Sequence, residues 1–169
     1  MASSLFRRLL LPGLLFLAAA GAARAEGPHL LGRFGDWAAY AAGQGQNRLC
    51  YAVSQPRRTF NSPRGRGEAY FTVTDRPALH SFDVISLAPG YPFQTGSVPE
   101  LDVDGDLYDL YVQDGTAWSR NDKAIVQSML SGESAIMHGR PPGGGDAADT
   151  YPLDGFARAH AALDAACGQ

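Results

Sequence analysis

Residues 98–119, VPELDVDGDLYDLYVQDGTAWS, contain two Asp-Gly pairs, Asp104-Gly105 and Asp114-Gly115, ten positions apart. Asp-Gly favours the positive φ angles of two-residue hairpin turns, whose twist matches that of the paired strands. Strand-forming residues flank both pairs, over 98–103, 107–112 and 116–119. The stretch therefore predicts two successive hairpins that form a three-stranded antiparallel meander.

Further strands are predicted on both sides of this stretch, because several segments combine β-branched and aromatic residues or alternate apolar with polar positions. Residues 26–34 are interpreted as a short lead-in to the first strand. Trp37, in that strand, and Trp118 are interpreted as core residues rather than as a ligand platform. The predicted strands outside the meander are 36–40, 48–54, 68–74, 81–87 and 134–140.

Two helices are predicted from capping residues and helical spacing. Asn121 or Asp122 begins the first, and Gly132 ends it. Asp154 caps the second, which runs from about residue 155 to 166. The apolar stripe of the second helix consists of Phe156, His160, Leu163 and Cys167. Seven or eight short strands with two helices predict an all-β domain, an antiparallel β-sandwich or flattened barrel with a short helix and a C-terminal helix.

The first 25 residues have the three parts of an export signal. A basic start at Arg7 and Arg8 precedes an apolar core over 9–20, and the small residues Ala23 and Ala25 fit a cleavage site. The apolar core is shorter than the ~20 residues that a spanning helix needs, so a retained membrane span is the weaker alternative. We expect residues 1–25 to be a signal peptide, residues 26–169 a single β domain, and the mature protein to be periplasmic or secreted.

The composition is that of an ordinary globular chain, with 45% hydrophobic and 18% charged residues, which excludes fibrous and wholly disordered classes. Without residues 1–25, 11 basic and 17 acidic residues remain, for a net charge of −6. Nucleic acid is a poor partner for such a chain. The charge is uneven, since seven arginines lie between Arg33 and Arg76 and six acids lie between Glu100 and Asp114.

Cys50 and Cys167 are the two cysteines of the chain. An even number in an exported chain favours a disulfide, which would attach the C-terminal segment to an early strand. A pair of buried free thiols and an intermolecular bridge are the alternatives. The Cys-x-x-Cys spacing of redox proteins is absent. No zinc-ligand spacing joins the cysteines to the four histidines, His29, His80, His138 and His160.

The acidic turn around Asp102, Asp104 and Asp106 has the composition of a calcium loop. An EF-hand loop has Gly at its sixth position and Glu at its twelfth, whereas here Gly is fourth and Gln113 is twelfth. We therefore interpret the turn as a hairpin tip with solvated carboxylates, with weak calcium binding as the alternative.

The motifs of serine hydrolases, zinc proteases, phosphate loops and dinucleotide-binding folds are absent. His80 and His138 lie beside predicted strand ends and could act with Asp83 or Ser134, but no spacing forces these residues together. We interpret both as surface histidines. The sequence thus predicts no catalytic residue, no metal site and no cofactor.

Candidate binding residues lie in two segments that are predicted to be exposed. Residues 56–67, PRRTFNSPRGRG, are interpreted as a mobile exposed loop, with a basic recognition loop as the alternative. The aromatic residues of the turn at 89–93 could contact a partner or could plug one end of the core. The candidate contact residues are Arg57, Arg58, Arg64, Arg66, Tyr91 and Phe93.

The order of several short motifs resembles the bacterial invasion-associated locus B family. These motifs are Asp36-Trp37, residues 50–56 (CYAVSQP), Arg76-Pro77, residues 90–93 (GYPF), residues 103–105 (VDG), Ala117-Trp118 and residues 149–156 (DTYPLDGF). The resemblance covers roughly Phe34 to Cys167 and implies an exported all-β protein, in a family named for a member implicated in entry into host red cells. Many members have a further cysteine shortly after the early Trp, where this chain has residues 38–42, AAYAA. The resemblance is therefore to a divergent, single-disulfide branch.

These observations favour an exported envelope protein that acts as a non-enzymatic binding or interaction module, with a role in host association as one option. An envelope or host-surface protein is the expected partner class, and the oligomeric state is left open. The alternatives are a hydrolase of an envelope substrate, whose site assembles only in three dimensions, and a structural envelope-maintenance protein.

Overall fold

The computed structural model describes residues 27–168, so the predicted signal peptide, residues 1–25, lies outside the described residues. The described chain forms twelve β-strands and two α-helices. The strands are β1 His29–Phe34, β2 Trp37–Ala42, β3 Leu49–Ser54, β4 Arg58–Phe60, β5 Tyr70–Arg76, β6 Ser81–Ala88, β7 Glu100–Val103, β8 Asp106–Asp109, β9 Tyr111–Gln113, β10 Thr116–Trp118, β11 Ser134–Gly139 and β12 Ala147–Pro152. The helices are α1 Asp122–Ser131 and α2 Phe156–Cys167.

The strands form two antiparallel sheets that pack face to face. Sheet A has seven strands in the order β1-β2-β3-β5-β6-β10-β9, and sheet B has five in the order β4-β12-β11-β7-β8. Their inner faces meet in one core, in which the rings of Phe71 and Tyr151 pack edge to face at 5.5 Å. The predicted all-β fold is confirmed as a β-sandwich. The predicted seven or eight strands were too few, because several of the twelve are only three or four residues long.

Both Asp-Gly turns form hairpins as predicted, with positive φ angles at all four of their residues. The predicted continuous meander is wrong, however, because its middle strand breaks at Leu110. Strand β8 pairs with β7 in sheet B, whereas β9 pairs with β10 in sheet A. Leu110 is 2% exposed, and its N–H donates to the carbonyl of Pro99 at 2.8 Å. The two hairpins therefore form the corner that joins the sheets.

Three segments form strands that the sequence did not predict. The supposed lead-in contains β1, which pairs with β2 in register Phe34 to Trp37 across a tight turn. The supposed mobile loop contains β4, a three-residue edge strand that pairs with β12. Strand β12, which follows the Pro- and Gly-rich residues 141–145, lies between β4 and β11. All three pair with other strands, which supply the stabilising hydrogen bonds.

The two helices were predicted correctly in place and length, and Asn121 and Gly132 occupy the cap positions of α1 as predicted, although Asn121 makes no side-chain capping hydrogen bond. Asp154 was expected to cap α2, yet Gly155 occupies the cap position with φ 89°, and no side chain caps the helix. The predicted inward stripe of α2 is confirmed, because Phe156, His160, Leu163 and Cys167 are all buried. None of the helices in the described part of the chain is long and apolar enough to cross a membrane.

The predicted disulfide is confirmed as an intramolecular bridge between Cys50 in β3 and Cys167 at the end of α2. Both residues are buried, and their Cα atoms are 6.1 Å apart. A second contact lies beside the disulfide, because a guanidinium nitrogen of Arg48 donates a hydrogen bond to the backbone carbonyl of Ala166 at 3.2 Å. The C-terminal helix is thereby fixed to the middle of sheet A.

Reducing the bridge is expected to lower the free energy of unfolding by up to about 4–5 kcal/mol, because Cys50 and Cys167 close a loop over a sequence separation of 117. Urea unfolding with and without reductant measures the loss. The double variant Cys50→Ala/Cys167→Ala is the control, since reductant should not change its midpoint. An equal midpoint for the oxidised and reduced wild-type protein would contradict this expectation.

Candidate functional site

Sheet A has an inner face that is covered by sheet B and the two helices, and an outer face that faces solvent. Because side chains alternate along a strand, Cys50, Ala52 and Ser54 of β3 are buried, whereas Tyr51 and Val53 point outward and are partly exposed. The same alternation holds along β5 and in the second halves of β2 and β6, from Ala39 and Val84 onward. The outer face is therefore a sheet surface that the fold leaves open to solvent.

A groove of about 490 Å³, which we call the outer trough, runs across this face. Its floor consists of small side chains that lie side by side on adjacent strands, since Val53 pairs with Thr72 and Thr72 pairs with Ser86. Trp118, which pairs with Ser86, closes one end of this row. The full lining is Tyr40, Tyr51, Val53, Tyr70, Thr72, Ser86, Ala88, Thr116 and Trp118. Small floor residues between large rings make the surface concave.

Aromatic rings form the walls of the outer trough. Tyr40 and Tyr51 are cross-strand partners whose rings stack at 5.2 Å with an interplanar angle of 15°. Burial, followed by the neighbouring Tyr40, raises the pKa of Tyr51, so its hydroxyl is neutral. Strand β10 lies three strand spacings from β3, and Tyr51 lies two residues along β3 from the row that contains Trp118, so the two residues are about 16 Å apart. The indole N–H of Trp118 donates to the carbonyl of Gln113 at 3.4 Å, which fixes the ring.

The outer trough continues into a charged groove of about 450 Å³ at the β1–β2 end of the sheet. The two grooves share Tyr40, Val53 and Tyr70. The charged groove adds Arg33 together with Arg57 and Asp36, which form an ion pair. The outer face thus changes from neutral and aromatic at one end to polar and charged at the other.

Trp118 shows where sequence reasoning was wrong about this face. Trp37 is 1% exposed and lies in the core, as predicted. Trp118 is only partly buried and lines the outer trough. The chain breaks between β8 and β9 at Leu110, and this break decides which side chains of β9 and β10 face outward. The sequence did not predict the break. Tyr40, Tyr51 and Tyr70 were missed for a related reason, since only the pairing of β2, β3 and β5 gathers their rings.

The structure does not place the candidate arginines together on one exposed loop. Arg57, Arg58 and Arg64 are exposed. Arg57 lines the charged groove, whereas Arg58 belongs to edge strand β4, where it pairs with Thr150. Arg66 is largely enclosed. Arg57 and Arg66 contact acids in different parts of the fold, Asp36 and Asp149, so the loop does not present a single basic surface.

Arg66 forms a two-pronged ion pair with Asp149 of β12, at 2.8 and 2.9 Å. The side chain of Asp149 is 2% exposed, and that of Arg66 is 14% exposed. The guanidinium lies 5.8 Å from the ring centre of Tyr91. The hydrogen bond to Asp149 raises the pKa of Arg66, which holds the pair charged. This contact attaches the 61–67 segment to sheet B.

The expected exposure of Tyr91 is wrong, because Tyr91 is 8% exposed. Burial, followed by the charge of Asp149, raises the pKa of Tyr91 to about 12. Its ring packs edge to face against Phe93 at 5.9 Å, and Phe93 packs against the core from a partly buried position. Tyr91 and Phe93 therefore close one end of the core, which is the alternative interpretation given by the sequence.

A buried polar cluster lies beside the disulfide, on the inner side of the sheet. The Nε2 atom of His160 lies 2.7 Å from Oδ1 of Asp83, and its Nδ1 atom lies 3.3 Å from Oδ2 of Asp164. Asp75, the cross-strand partner of Cys50, accepts the backbone N–H of Asp83 at 2.8 Å. The hydrogen bond from His160 to Asp83 raises the pKa of His160, and burial raises the pKa of Asp75.

Sequence reasoning identified His160 as a buried helix residue but missed this cluster. Asp83 lies 77 positions away from His160, so no local pattern joins them. The spacing of four between His160 and Asp164 was the available signal, because residues four apart share a helix face. Asp83, proposed as a partner of His80 or His138, contacts His160 instead. His80 is exposed, and His138 lies partly buried on β11.

The acidic turn at 102–106 uses its carboxylates to hold the corner. Asp102 accepts the N–H of Gly105 at 2.6 Å, and Asp104 accepts the N–H groups of Glu133 and Ser134 at 2.7 and 3.1 Å. These bonds attach the first hairpin to the start of β11. Within residues 27–168, no group of three or more His, Cys, Asp or Glu side chains is arranged to hold a metal ion.

Comparisons with known proteins identify the fold. No protein-family profile matches the sequence, and no curated protein matches it. The structure is similar to the crystal structure of invasion associated protein B from Bartonella henselae, with a TM-score of 0.55 and 17% sequence identity. The match covers 83% of this chain and 97% of that chain. The two proteins therefore share the fold, which is the fold that the sequence resemblance implied.

Replacing Arg66 by Met is expected to lower the free energy of unfolding by about 3–5 kcal/mol, because it leaves the buried carboxylate of Asp149 without its partner. Arg64→Met is the matched control. Arg64 is an exposed arginine two positions away, so its loss should change stability by no more than about 0.5 kcal/mol. Similar urea midpoints for the two variants would show that the ion pair does not stabilise the fold.

The contact of His160 with Asp83 is expected to make the free energy of unfolding fall as the pH rises above about 6.5. Because the folded protein holds the pKa of His160 above its unfolded value of about 6.5, the stabilisation is complete below that pH. It is lost as the pH rises through the folded pKa. Urea midpoints between pH 6 and pH 9 should therefore fall more for wild type than for His160→Gln, which carries no titrating group there.

An NMR titration of the His160 ring provides the control for that experiment. The midpoint should lie above about 6.5 in wild type. It should move down in Asp83→Asn, because the largest cause of the raised pKa is the hydrogen bond to Asp83. A ring that titrates at the same pH in both proteins would contradict this role of Asp83.

Proposed function

We propose that this protein is an exported, non-enzymatic binding module of the bacterial envelope, and that its ligand binds in the outer trough. The open aromatic trough on a disulfide-fixed sandwich is the observation that carries this proposal. Ligand sites in proteins are concave and lined by aromatic and apolar groups, with a few polar groups that fix orientation. The outer trough has this composition on a rigid sheet.

Export is supported by two independent features of the chain. Residues 1–25 have the pattern of a cleavable signal peptide. The bridge between Cys50 and Cys167 is of the kind that persists in oxidising compartments such as the periplasm. We accordingly propose that the mature protein is periplasmic or secreted, and that it meets ligands of the envelope or of a host surface.

A binding role agrees with the chemistry of the described side chains. The lining of the outer trough consists of aromatic, small and hydroxyl-bearing residues, which bind ligands by contact and hydrogen bonding. His160 is 9% exposed, and both of its ring nitrogens face carboxylates. Such a histidine is held as a structural group rather than as a base for a nucleophile. These contacts favour the binding role over the hydrolase alternative.

We also propose that the chain is a distant, single-disulfide member of the invasion-associated locus B family. The ordered motifs of the sequence and the fold shared with invasion associated protein B support this assignment. As its name says, that protein is associated with invasion. An association of the present protein with host surfaces is the corresponding proposal for its biological role.

In-cell photo-crosslinking tests whether the outer trough is the binding surface. A benzophenone amino acid replaces Trp118 in the trough or, as the control, Phe60, which is 70% exposed on the edge of the other sheet. Both changes exchange one aromatic residue for another. We expect a reproducible adduct from position 118 and none from position 60.

Digestion of the adduct separates the classes of ligand. An adduct that shrinks with a glycan hydrolase identifies a saccharide, and one that shrinks only with protease identifies a protein. Equal labelling from the two positions, or none from position 118, would contradict the proposal that the trough binds an envelope or host component.

A further inference from the structure

We infer that the outer trough binds a neutral, extended, β-linked oligosaccharide. This inference rests on the proposed binding function and deepens it by naming the ligand class. Three properties of the trough carry it, namely the arrangement of its rings, the hydroxyl groups of its floor and walls, and the absence of charge from its lining.

The rings of the trough offer faces to which sugar rings bind. The face of an aromatic ring carries the negative part of its quadrupole, and the axial C–H groups of a pyranose present a weakly positive, apolar face to it. Such contacts require rings that do not move on binding. Tyr51 is held by stacking on Tyr40, and Trp118 by the bond from its indole N–H to Gln113.

The spacing of the rings fits a short chain rather than a single sugar. Tyr51 and Trp118 are separated by about 16 Å, because they lie three strand spacings apart across the sheet and two residues apart along it. The floor between them includes the small side chains of Val53, Thr72 and Ser86. A β-1,4-linked chain is extended and flat, so it can lie along this floor while successive sugar rings reach the aromatic groups at each end.

The polar groups of the trough match the hydroxyls of a sugar. Thr72, Ser86, Thr116, Tyr40 and Tyr51 present hydroxyl groups, each of which can both donate and accept hydrogen bonds, whereas the hydroxyl of Tyr70 donates to the carboxylate of Glu68. Sugar hydroxyls have the same double capacity. Thr72 and Ser86 are bonded to each other across the strands, which orients the two groups on the floor.

A proline-rich peptide is the main competing ligand, because such peptides also bind in aromatic grooves. Its backbone presents carbonyl groups but few N–H groups, because proline has none. The hydroxyl groups of the trough both donate and accept, so a ligand that does the same complements them more completely. The paired hydroxyl groups therefore favour the saccharide.

The lining of the trough is neutral, which selects against charged ligands. None of its nine residues is Asp, Glu, Lys, Arg or His. Arg33 and Arg57 belong to the adjoining groove, where Arg57 is paired with Asp36, and Arg120 packs at 4.1 Å on Tyr111, the cross-strand partner of Trp118. No cation lines the trough itself, so a polyanionic glycan would form no ion pair along its floor. The geometry therefore points to uncharged sugars.

Titration of the oxidised mature protein with defined trisaccharides tests the inference. Cellotriose and chitotriose are the neutral, extended probes, maltotriose is the curved comparison, and trigalacturonate is the acidic one. Isothermal calorimetry gives the affinity, and the tryptophan emission reports contact at Trp118, since Trp37 is buried in the core. We expect an extended neutral probe to bind more tightly than maltotriose or trigalacturonate.

Variants then locate the site. Trp118→Ala and Tyr51→Ala should each weaken binding at least about tenfold, which is 1.4 kcal/mol, whereas Tyr51→Phe retains the ring and should bind nearly as wild type. Ala88→Gln places a larger side chain in the trough without removing a contact and should also abolish binding. It keeps the test decisive if Trp118→Ala or Tyr51→Ala fails to fold. Phe60→Ala, on the other sheet, is the matched control and should leave the affinity unchanged.

Three results would contradict the inference or one part of it. Binding that survives Trp118→Ala and Ala88→Gln would place the saccharide outside the trough and overturn the inference. Tighter binding of trigalacturonate would overturn the assignment to neutral sugars. If no trisaccharide binds while position 118 still crosslinks to a protease-sensitive partner, the saccharide inference is wrong and the proposed binding function stands.

Discussion

The docking of helix α2 against the inner face of sheet A is the contact on which the rest of the fold depends. Sheet A has two more strands than sheet B, so part of its inner face would be bare without the helix. Helix α2 covers that part through contacts with β1, β2, β3 and β5. Edge-to-face packing of Phe156 against Trp37 at 4.9 Å, the His160–Asp83 contact and the disulfide hold the helix at three positions along its length.

This docking explains the unusual strand β2, with its sequence WAAYAA. Ala39 and Ala41 are fully or almost fully buried, and their small side chains leave room for the helix to approach the sheet closely. The opposite face of the same strand carries Tyr40, which stacks on Tyr51 in the outer trough. One alternating strand thus serves packing on one side and the proposed ligand site on the other.

Local features of the sequence predicted local structure, and the failures lie where distant segments meet. Both Asp-Gly hairpins were predictable because turn geometry depends on adjacent residues. The corner at Leu110 was not, because apolar residues occupy both alternating positions around it, and the choice of face depends on two sheets at once. The disulfide was predictable because the chain has one possible intramolecular pair of cysteines. The ion pair of Arg66 with Asp149 depends on the pairing of β4 with β12, and the contact of His160 with Asp83 depends on the docking of α2, so neither could be predicted.

The outer trough also depends on the pairing of strands that are distant in sequence, and this origin affects how the trough would bind a ligand. Its rings come from β2, β3, β5 and β10, so their positions are set by the sheet and not by a loop. Tyr51 lies between two buried residues, Cys50 and Ala52, and Cys50 is bonded covalently to α2. The bridge therefore restrains the strand that carries one wall of the trough. A site restrained in this way loses little conformational entropy on binding, which favours recognition of a ligand through few and weak contacts.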